Sequence, residues 1–206
     1  SFSNLKTDKQ VEDFFKSEFS DAFTLMPTLI SDFKTNATAS LVTVKCFPWV
    51  FDNKIGLIGD AAHAIVPFYG QGMNCGFEDC VVLNELIEKH NDDWDIIFPE
   101  YEQLRKPDGD AIADLAIANF VEMRDKTADP KFILQKKIEA KFSQHYPDKW
   151  IPLYSMVTYS PHIRYSTALK EGQKQQKIMD EIMALNNIES IWESDEIESE
   201  ILKRIS

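Results

Sequence analysis

The 206-residue sequence predicts an α/β fold with a large α-helical part. Short runs rich in Val, Ile and Thr occur in the first third of the chain, where we expect the strands. Glycine is concentrated in the same region, because four of the seven glycines lie between residues 56 and 72. From residue 74 onward the apolar residues recur three and four positions apart, which is typical of amphipathic helices.

The first 50 residues predict two helices and one strand. Thr7 is a capping residue for the first helix. The apolar face of that helix carries Val11, Phe14, Phe15 and Phe19. A second, short helix is expected near Pro27. Residues 39–47 are rich in Val and Thr and predict a strand, which Pro48 would end.

Residues 51–92 predict a strand, a glycine-rich loop and a helix. The apolar run over residues 55–58 is expected to be a buried strand, and residues 74–90 are expected to form the helix. The predicted core face of this helix contains Phe77, Cys80, Leu83 and Ile87.

The remaining residues, 93–206, predict a helical domain. Helices are expected over residues 94–105, 111–126, 130–144 and 166–185. The Pro107-Asp108-Gly109-Asp110 run is expected to separate the first two, and Asp129 to cap the third. Residues 150–165 are expected to be an aromatic loop. The acidic stretch from 186 to 206 is expected to be a solvated helix or disordered.

Composition limits the function classes. The net charge of −12 and the pI of about 4.8 argue against a nucleic-acid surface, which needs a basic stripe. The three cysteines show neither zinc nor CxxC spacing, so a reducing compartment, free thiols and no metal site are expected. We expect no transmembrane helix and no signal peptide. The chain also starts without Met and has no Gly-x-Gly-x-x-Gly run, so it is expected to be the C-terminal portion of a longer protein.

The glycine-rich loop carries the strongest functional signal. It contains Gly59-Asp60-Ala61-Ala62-His63, then Pro67, then Gly70-Gln71-Gly72-Met73-Asn74. A helix N-terminus with exposed N–H groups and small residues favours anionic oxygen atoms. The Asp60 carboxylate suits a sugar hydroxyl better than a phosphate, because it accepts hydrogen bonds and repels anions.

This loop resembles the second flavin motif of the class A flavoprotein aromatic hydroxylases. The longer run from Pro67 to Asp79 resembles, within that class, the family of kynurenine 3-monooxygenases. The resemblance implies the C-terminal portion of a Rossmann-like FAD-binding hydroxylase fold with a C-terminal helical domain. It assigns residues 1–50 to the end of the substrate-domain sheet and its helices, 51–92 to the second FAD-binding segment and 93–206 to the helical domain.

The same resemblance implies cofactor-binding residues. Asp60 would contact the ribityl chain of FAD. The backbone N–H groups of Gly72, Met73 and Asn74 would face the flavin ring, where the partial positive charge of a helix N-terminus favours negative charge. The alternative readings are a turn aspartate and a helix start that is capped by water.

Six substrate-binding residues are expected on the same basis. Pro67, Phe68 and Gln71 resemble the wall beside the substrate ring, and plain core packing is an equal alternative for Phe68. Asn119 and Tyr154 stand where the family binds the substrate carboxylate, and Met123 shares a helix face with Asn119. Taken without the resemblance, Asn119 is an ordinary helix residue and Tyr154 an ordinary loop residue.

No catalytic side chain is expected, because the resemblance assigns the chemistry to the flavin. His63 is a candidate general base on inspection. A turn histidine that bonds to backbone is the favoured interpretation, since no partner acid lies at an indicative spacing. Cys75 and Cys80 are expected to be buried as small apolar residues.

The leading hypothesis is therefore part of an FAD-dependent monooxygenase that converts L-kynurenine to 3-hydroxy-L-kynurenine with NADPH and O2, the fragment alone being inactive. The alternatives are a class A hydroxylase with another aromatic substrate and a non-catalytic helical interaction module. The implied partners are an aromatic amino acid, the missing N-terminal dinucleotide-binding part and a membrane surface. The implied location is the cytosolic face of the mitochondrial outer membrane.

Overall fold

The computed structural model describes residues 2–205, and most of them are helical. Two compact units follow one another along the chain, one ending at Leu41 and the other starting at Val42. The first contains a 3₁₀ turn (Phe2–Asn4) and helices α1 (Asp8–Glu18), α2 (Ser20–Phe23) and α3 (Leu29–Thr35). The predicted start of α1 is confirmed, since Thr7 and Gln10 form a reciprocal capping box.

The second unit holds two strands and eight helices among the described residues. The strands β1 (Val50–Phe51) and β2 (Ile55–Gly56) form an antiparallel hairpin in which Val50 pairs with Gly56 and Phe51 with Ile55. The helices are α4 (Asp60–His63), α5 (Gly72–His90), α6 (Trp94–Asp125), α7 (Pro130–His145), α8 (Leu153–Tyr159), α9 (Tyr165–Met183), α10 (Ile188–Ile191) and α11 (Asp195–Ile205).

Helices α6 and α9 organise the core of this unit. One apolar cluster, around Ile112 and Ala168, joins α6 and α9 to α8 and to the start of α5. A second cluster, around Met179 and Ile201, joins α9 to α7, α10 and α11. A third, around Trp49 and Tyr101, joins α6 to α4 and α5. The glycine-rich loop therefore lies between the hairpin and the helical core.

The strand predicted over residues 39–47 is wrong. These residues belong to no strand, and Leu41 and Val42 are exposed. Strand propensity measures how well a residue fits a half-buried pleated surface, and the described residues offer this segment no sheet. The buried strand predicted over 55–58 is also wrong in its burial, because Ile55 is 60% exposed and Ile58 39%.

The break predicted at residues 107–110 is wrong as well, because α6 continues through Pro99 and Pro107. Proline normally disrupts a helix interior. Here the indole of Trp49 packs against Gly109, and a Cβ added at Gly109 would lie 2.9 Å from that ring. Tertiary packing of this turn therefore overrides the local preference.

Three further expectations need correction. The loop predicted over 150–165 contains α8, which buries Met156 and Val157. The C-terminal stretch is neither solvated throughout nor disordered, since Ile197 and Ile201 of α11 lie in the core. The core face predicted for α5 is half right. Leu83 and Ile87 pack against the third cluster, whereas Phe77 and Cys80 are exposed, and the buried residues of the helix are Cys75, Asp79 and Leu86. The expected burial is confirmed for Cys75 but wrong for Cys80, which is exposed.

Candidate functional site

The turn that follows β2 depends on Gly59. Its backbone lies at φ 60° and ψ −139°, a region that is essentially restricted to glycine. The Gly59 carbonyl accepts hydrogen bonds from the N–H groups of Ala62 (2.8 Å) and His63 (2.9 Å), which starts α4. A Cβ placed on Gly59 would meet no atom within 4 Å. The inner side of the turn is thus hydrogen-bonded to α4, and its outer side is open.

Asp60 lies on the open side of this turn. It is the first residue of α4, and its side chain is exposed. Among residues 2–205 its carboxylate has no hydrogen bond and no ion pair. A carboxylate that is held in place but not engaged can accept hydrogen bonds from the hydroxyl groups of a ligand.

A second glycine turn leads into α5. Gly70 has φ 66°, and a Cβ there would also meet no atom within 4 Å. The N-cap residue Gln71 does not cap the helix, because its amide oxygen accepts from the Tyr165 hydroxyl (3.1 Å) and from Asn74 Nδ2 (2.9 Å). The first N–H groups of α5 have no intrahelical acceptor by construction. Met73, 71% exposed, lies at this open helix start.

These features fit the isoalloxazine and ribityl groups of a flavin. The turns at Gly59 and Gly70 present backbone without side chains. The unengaged Asp60 carboxylate follows the first turn, and the N-terminus of α5 follows the second. Asp60, Gly72, Met73 and Asn74 are the residues that would hold the group. Their cofactor role stays a prediction.

Beneath the first turn lies a buried charged network that the sequence did not reveal. Asp79 of α5 has no solvent exposure. Its Oδ2 accepts from the Gly59 N–H (3.0 Å) and from His63 Nε2 (2.5 Å), and its Oδ1 accepts from Arg105 Nε (2.7 Å). The Arg105 guanidinium also donates to the Cys75 carbonyl (3.2 Å) and to Asp108 Oδ2 (3.2 Å).

Asp108 extends this network to α9. Its Oδ2 accepts from Arg164 Nε (2.8 Å) and its Oδ1 from the Ser166 N–H (3.0 Å). We call His63, Asp79, Arg105 and Asp108 the buried charge network, which Arg164, with a side chain 49% exposed, joins at the surface. It connects α4, α5, α6 and the start of α9.

The interpretation of His63 as a backbone-bonded turn histidine is therefore wrong. Its partner acid is Asp79, sixteen residues further on and on another helix, so no single-helix spacing could indicate it. Burial alone would lower the pKa of His63, but the hydrogen bond to Asp79 and the neighbouring Cys75 raise it to about 10. Burial would raise the pKa of Asp79, yet the bonds from His63, Arg105 and Gly59 hold it below its ordinary value. Both groups are charged at neutral pH.

His63, Cys75 and Asp79 also bring three ligand-type atoms within 4.8 Å of one another. The Arg105 guanidinium lies against two of them, at 2.7 Å from Asp79 Oδ1 and 3.4 Å from Cys75 Sγ. A fixed cation at this position opposes the binding of a metal ion.

The predicted substrate residues gather on the other side of the loop. Asn119 of α6 donates from Nδ2 to the Phe68 carbonyl (2.7 Å) and lies 3.7 Å from Met123 Sδ. The Tyr154 ring stacks on Tyr69 with 5.5 Å between centroids. Asn119, Tyr154 and Tyr69 line a cavity of about 380 Å³ between α6, α7, α8 and α9. Four of the six predicted substrate residues thus lie in one region.

Pro67 and Gln71 complete the predicted set. Pro67 is exposed in the same loop, two residues before Tyr69. Gln71 is buried and, with Asn74, lines a separate groove of about 560 Å³ along α5 and α6. Its side chain joins the loop to Tyr165 of α9. The substrate role of all six residues stays a prediction.

Tyr69 is a residue of this region that the sequence did not single out. Burial, followed by the negative charge of Glu122, raises its pKa to about 12. Its hydroxyl therefore stays protonated at neutral pH and can donate a hydrogen bond. Its place between Phe68 and the Gly70 turn was only a weak sequence signal that Tyr69 belongs to the candidate substrate region.

Across residues 2–205, every helix is too short or too polar to cross a lipid bilayer.

Comparison with known proteins identifies relatives along nearly the entire chain. A kynurenine 3-monooxygenase from Flavobacterium johnsoniae is 58% identical over 203 residues, which is 98% of this chain and 45% of the relative. One from Flavobacterium psychrophilum is 52% identical over 206 residues, covering 100% of this chain and 46% of the relative. One from Dictyostelium discoideum is 42% identical over 206 residues, covering 93% of this chain and 45% of the relative.

The resemblance noted in the sequence is thus confirmed, although the chain spans about half the length of the curated relatives it matches. The profile of one family, described as FAD binding domain, matches residues 8–116. This stretch includes both glycine turns, Asp60 and the N-terminus of α5. The match covers more than half of the sequence, and the chain belongs to the FAD binding domain family.

Proposed function

We propose that this chain is the C-terminal part of an FAD-dependent monooxygenase that hydroxylates L-kynurenine to 3-hydroxy-L-kynurenine with NADPH and O2. One observation carries the proposal. A chain of the FAD binding domain family presents an exposed and unengaged Asp60 directly after one open glycine turn, and a second open glycine turn leads into the N-terminus of α5.

The flavin, when bound, supplies the redox chemistry and the activation of O2. The chain itself binds and orients. Asp60 would accept hydrogen bonds from ribityl hydroxyls, and the N–H groups of Gly72, Met73 and Asn74 would donate to the ring edge. The partial positive charge of α5 at that edge favours negative charge on the bound group by on the order of 1 kcal/mol when it is partly buried.

The substrate would lie beside Phe68 and Tyr154. Asn119 and Tyr154 would donate to its carboxylate, and Met123 and Phe68 would pack on its apolar atoms. The Asn119 amide has a second task, because it already holds the Phe68 carbonyl. A ligand that contacts Asn119 would therefore contact a side chain whose orientation is fixed beforehand.

A further N-terminal part of the same protein is proposed as the partner of this chain. The named relatives are more than twice as long as the matched region. Large apolar side chains near the site are exposed in the described residues, namely Ile55 (60%), Met73 (71%), Phe77 (62%) and Val81 (57%). An exposed apolar patch of this kind marks an interface. The same part would supply the dinucleotide fingerprint.

Its location is proposed by resemblance alone. The mitochondrial outer membrane and a membrane-surface partner remain predictions, and the named relatives include bacterial proteins as well as one from Dictyostelium discoideum.

The deciding experiment uses a complete protein that contains this chain. It should purify with FAD, oxidise NADPH faster when L-kynurenine is added and form 3-hydroxykynurenine, which chromatography identifies. Hydroxylation of another aromatic acid, with no response to kynurenine, would replace the substrate assignment. A protein that binds no FAD would be a non-catalytic helical module.

Asn119→Ala tests the placement of the substrate. Loss of one hydrogen bond to a carboxylate should raise KM for kynurenine about 3- to 10-fold. The matched control is Asn84→Ala, since Asn84 is exposed on α5 and its side chain bonds to Glu88. An unchanged KM in Asn119→Ala would remove Asn119 from the substrate site.

A further inference from the structure

Asp79 is a carboxylate with no exposed surface, and no ligand role accounts for it. A buried charge is retained at a cost in desolvation and persists when it is paired and hydrogen-bonded. The contacts of Asp79 therefore indicate what it does.

Three elements meet at this carboxylate. The Gly59 N–H comes from the turn that presents Asp60, the imidazole of His63 comes from the end of α4, and the guanidinium of Arg105 comes from α6. Asp79 itself lies on α5, seven residues after Gly72. One side chain thus joins the turn that presents Asp60 to the helix whose N-terminus carries Gly72, Met73 and Asn74.

Two further observations show that the Gly59 turn and the start of α5 lie close together. A Cβ added to Gly76 of α5 would lie 3.7 Å from the Cα of Gly59, so the helix passes close to the turn at this residue. Arg105 also donates to the carbonyl of Cys75, in the first turn of α5. The Asp79–Arg105 pair therefore connects the Gly59 turn to the first turn of α5.

We propose that Asp79 is a positioning residue for the flavin nucleotide, which holds the Asp60 turn at a fixed distance from the N-terminus of α5 before the ligand binds. The inference rests on the proposed function in taking FAD as the ligand. A site whose binding groups are already in place loses less freedom on binding, so affinity depends on the residue that holds them.

Asp108 offers a matched control. It is also buried, also accepts from Arg105, and has its other partners in Arg164 and Ser166 of α9. Asp108 makes no bond to the Asp60 turn. Replacing either acid by asparagine removes one buried negative charge from the same arginine, but Asp79→Asn alone also disturbs the Gly59 contact.

The experiment measures the dissociation constant of FAD by flavin fluorescence for Asp79→Asn and Asp108→Asn in the complete protein. Asp79→Asn should weaken FAD binding by about tenfold or more and alter the fine structure of the flavin absorbance band, while Asp108→Asn should stay within about twofold. Equal losses in the two variants, or an unchanged affinity in Asp79→Asn, would overturn the proposal.

Hydrogen exchange on the unaltered protein covers the case in which Asp79→Asn does not fold. With FAD removed, the Gly59 amide should exchange as slowly as amides in the middle of α5, because Asp79 already holds it. Fast exchange that slows only when FAD is added would show a turn that the ligand orders, and would refute the role of Asp79.

The outcomes also separate this inference from the proposed function. A protein that binds FAD with the expected variant pattern but does not hydroxylate kynurenine contradicts the substrate and leaves the role of Asp79 standing. A protein that hydroxylates kynurenine and binds FAD equally well with Asp79→Asn contradicts Asp79 alone. Failure of the complete protein to bind FAD contradicts both.

Discussion

Replacing Arg105 by Met would test whether the buried charge network supports the fold. The Arg105 side chain is 5% exposed and reaches Asp79, Asp108 and Glu78 at 2.7, 3.2 and 3.0 Å. Removing one partner of a buried ion pair typically costs about 3–5 kcal/mol, because the other charge stays buried. Asp79 keeps His63 and Asp108 keeps Arg164, so the lower end, about 3 kcal/mol, is expected.

Urea unfolding followed by circular dichroism, on the complete protein without FAD, measures this loss. Leaving FAD out matters because a ligand that binds the folded state adds its own stabilisation. Arg105→Lys keeps the charge but not the planar fork, so it should lose about 1–2 kcal/mol. The loss in Arg105→Met should persist in about 0.5 M salt, because buried pairs are weakly screened.

Lys174→Met is the control. Lys174 and Glu171 form an exposed pair on α9 at 2.6 Å, with side chains 68% and 44% exposed. Such pairs contribute about 0–1 kcal/mol. If Arg105→Met cost no more than this control, the network would contribute nothing to stability and the argument from burial would be refuted.

Three further predictions follow from single contacts. Asp60→Ala should weaken FAD binding about tenfold or more while changing unfolding stability by no more than about 0.5 kcal/mol, because Asp60 is exposed and engages no partner in the described residues. The folded pKa of His63, about 10, exceeds its ordinary 6.5, so its stabilisation is complete below pH 6.5 and is lost as pH rises through 10. Unfolding stability should therefore fall by at least about 1 kcal/mol between about pH 7 and 10, and His63→Gln should flatten this dependence. Gly109→Ala should cost about 1–3 kcal/mol, because its Cβ would press on the buried Trp49 ring, as thermal melts can measure.

Two of these three predictions have a control variant, and the third has a result that would contradict it. Asp110→Ala removes an acid from the partly exposed surface of α6, and equal FAD loss there would contradict a specific role for Asp60. A variant of His63 with the same alkaline slope as the unaltered protein would assign that slope to other groups. Gly70→Ala strains a positive-φ turn that has open space around it, so it separates backbone strain from the steric contact at Gly109.

Features that depend on neighbouring residues in the sequence could be predicted. Thr7 caps α1 and Asp129 caps α7, in each case through a side chain that accepts from an N–H two or three residues on. The glycine turns at Gly59 and Gly70 belong to the same class, since a positive φ is a local demand. These signals were sufficient to locate the candidate site.

Features that depend on distant residues could not be predicted. The continuity of α6 through Pro107 requires Trp49, which lies 58 positions earlier and packs on Gly109. Asp79 accepts hydrogen bonds from Gly59, twenty positions before it, and from Arg105, twenty-six positions after it. A charged residue on a helix is normally expected to be solvated. The burial of Asp79 depends on the packing of α5 against the Gly59 turn and α6, which the sequence around Asp79 does not indicate.

The balance of charge in this network bears on how the site can act. When the partly exposed Glu78 and Arg164 at its edge are counted with it, three cationic side chains oppose three carboxyl groups: His63, Arg105 and Arg164 against Asp79, Asp108 and Glu78. Paired charges of opposite sign largely cancel at a distance, so the network leaves the partial positive charge of the α5 N-terminus largely unopposed by buried charge.

Removing one member would change that field as well as the packing. Arg105→Met would leave an excess of buried carboxylate beneath the turn, which opposes the α5 dipole at the position proposed for the flavin ring. In the FAD-bound protein this substitution should therefore shift the flavin reduction potential to a more negative value, because added negative charge disfavours the reduced, anionic ring. Lys174→Met removes a charge from the exposed pair on α9 and should leave the potential unchanged. If Arg105→Met and Lys174→Met shifted the potential equally, the buried charge network would not determine the field at the loop.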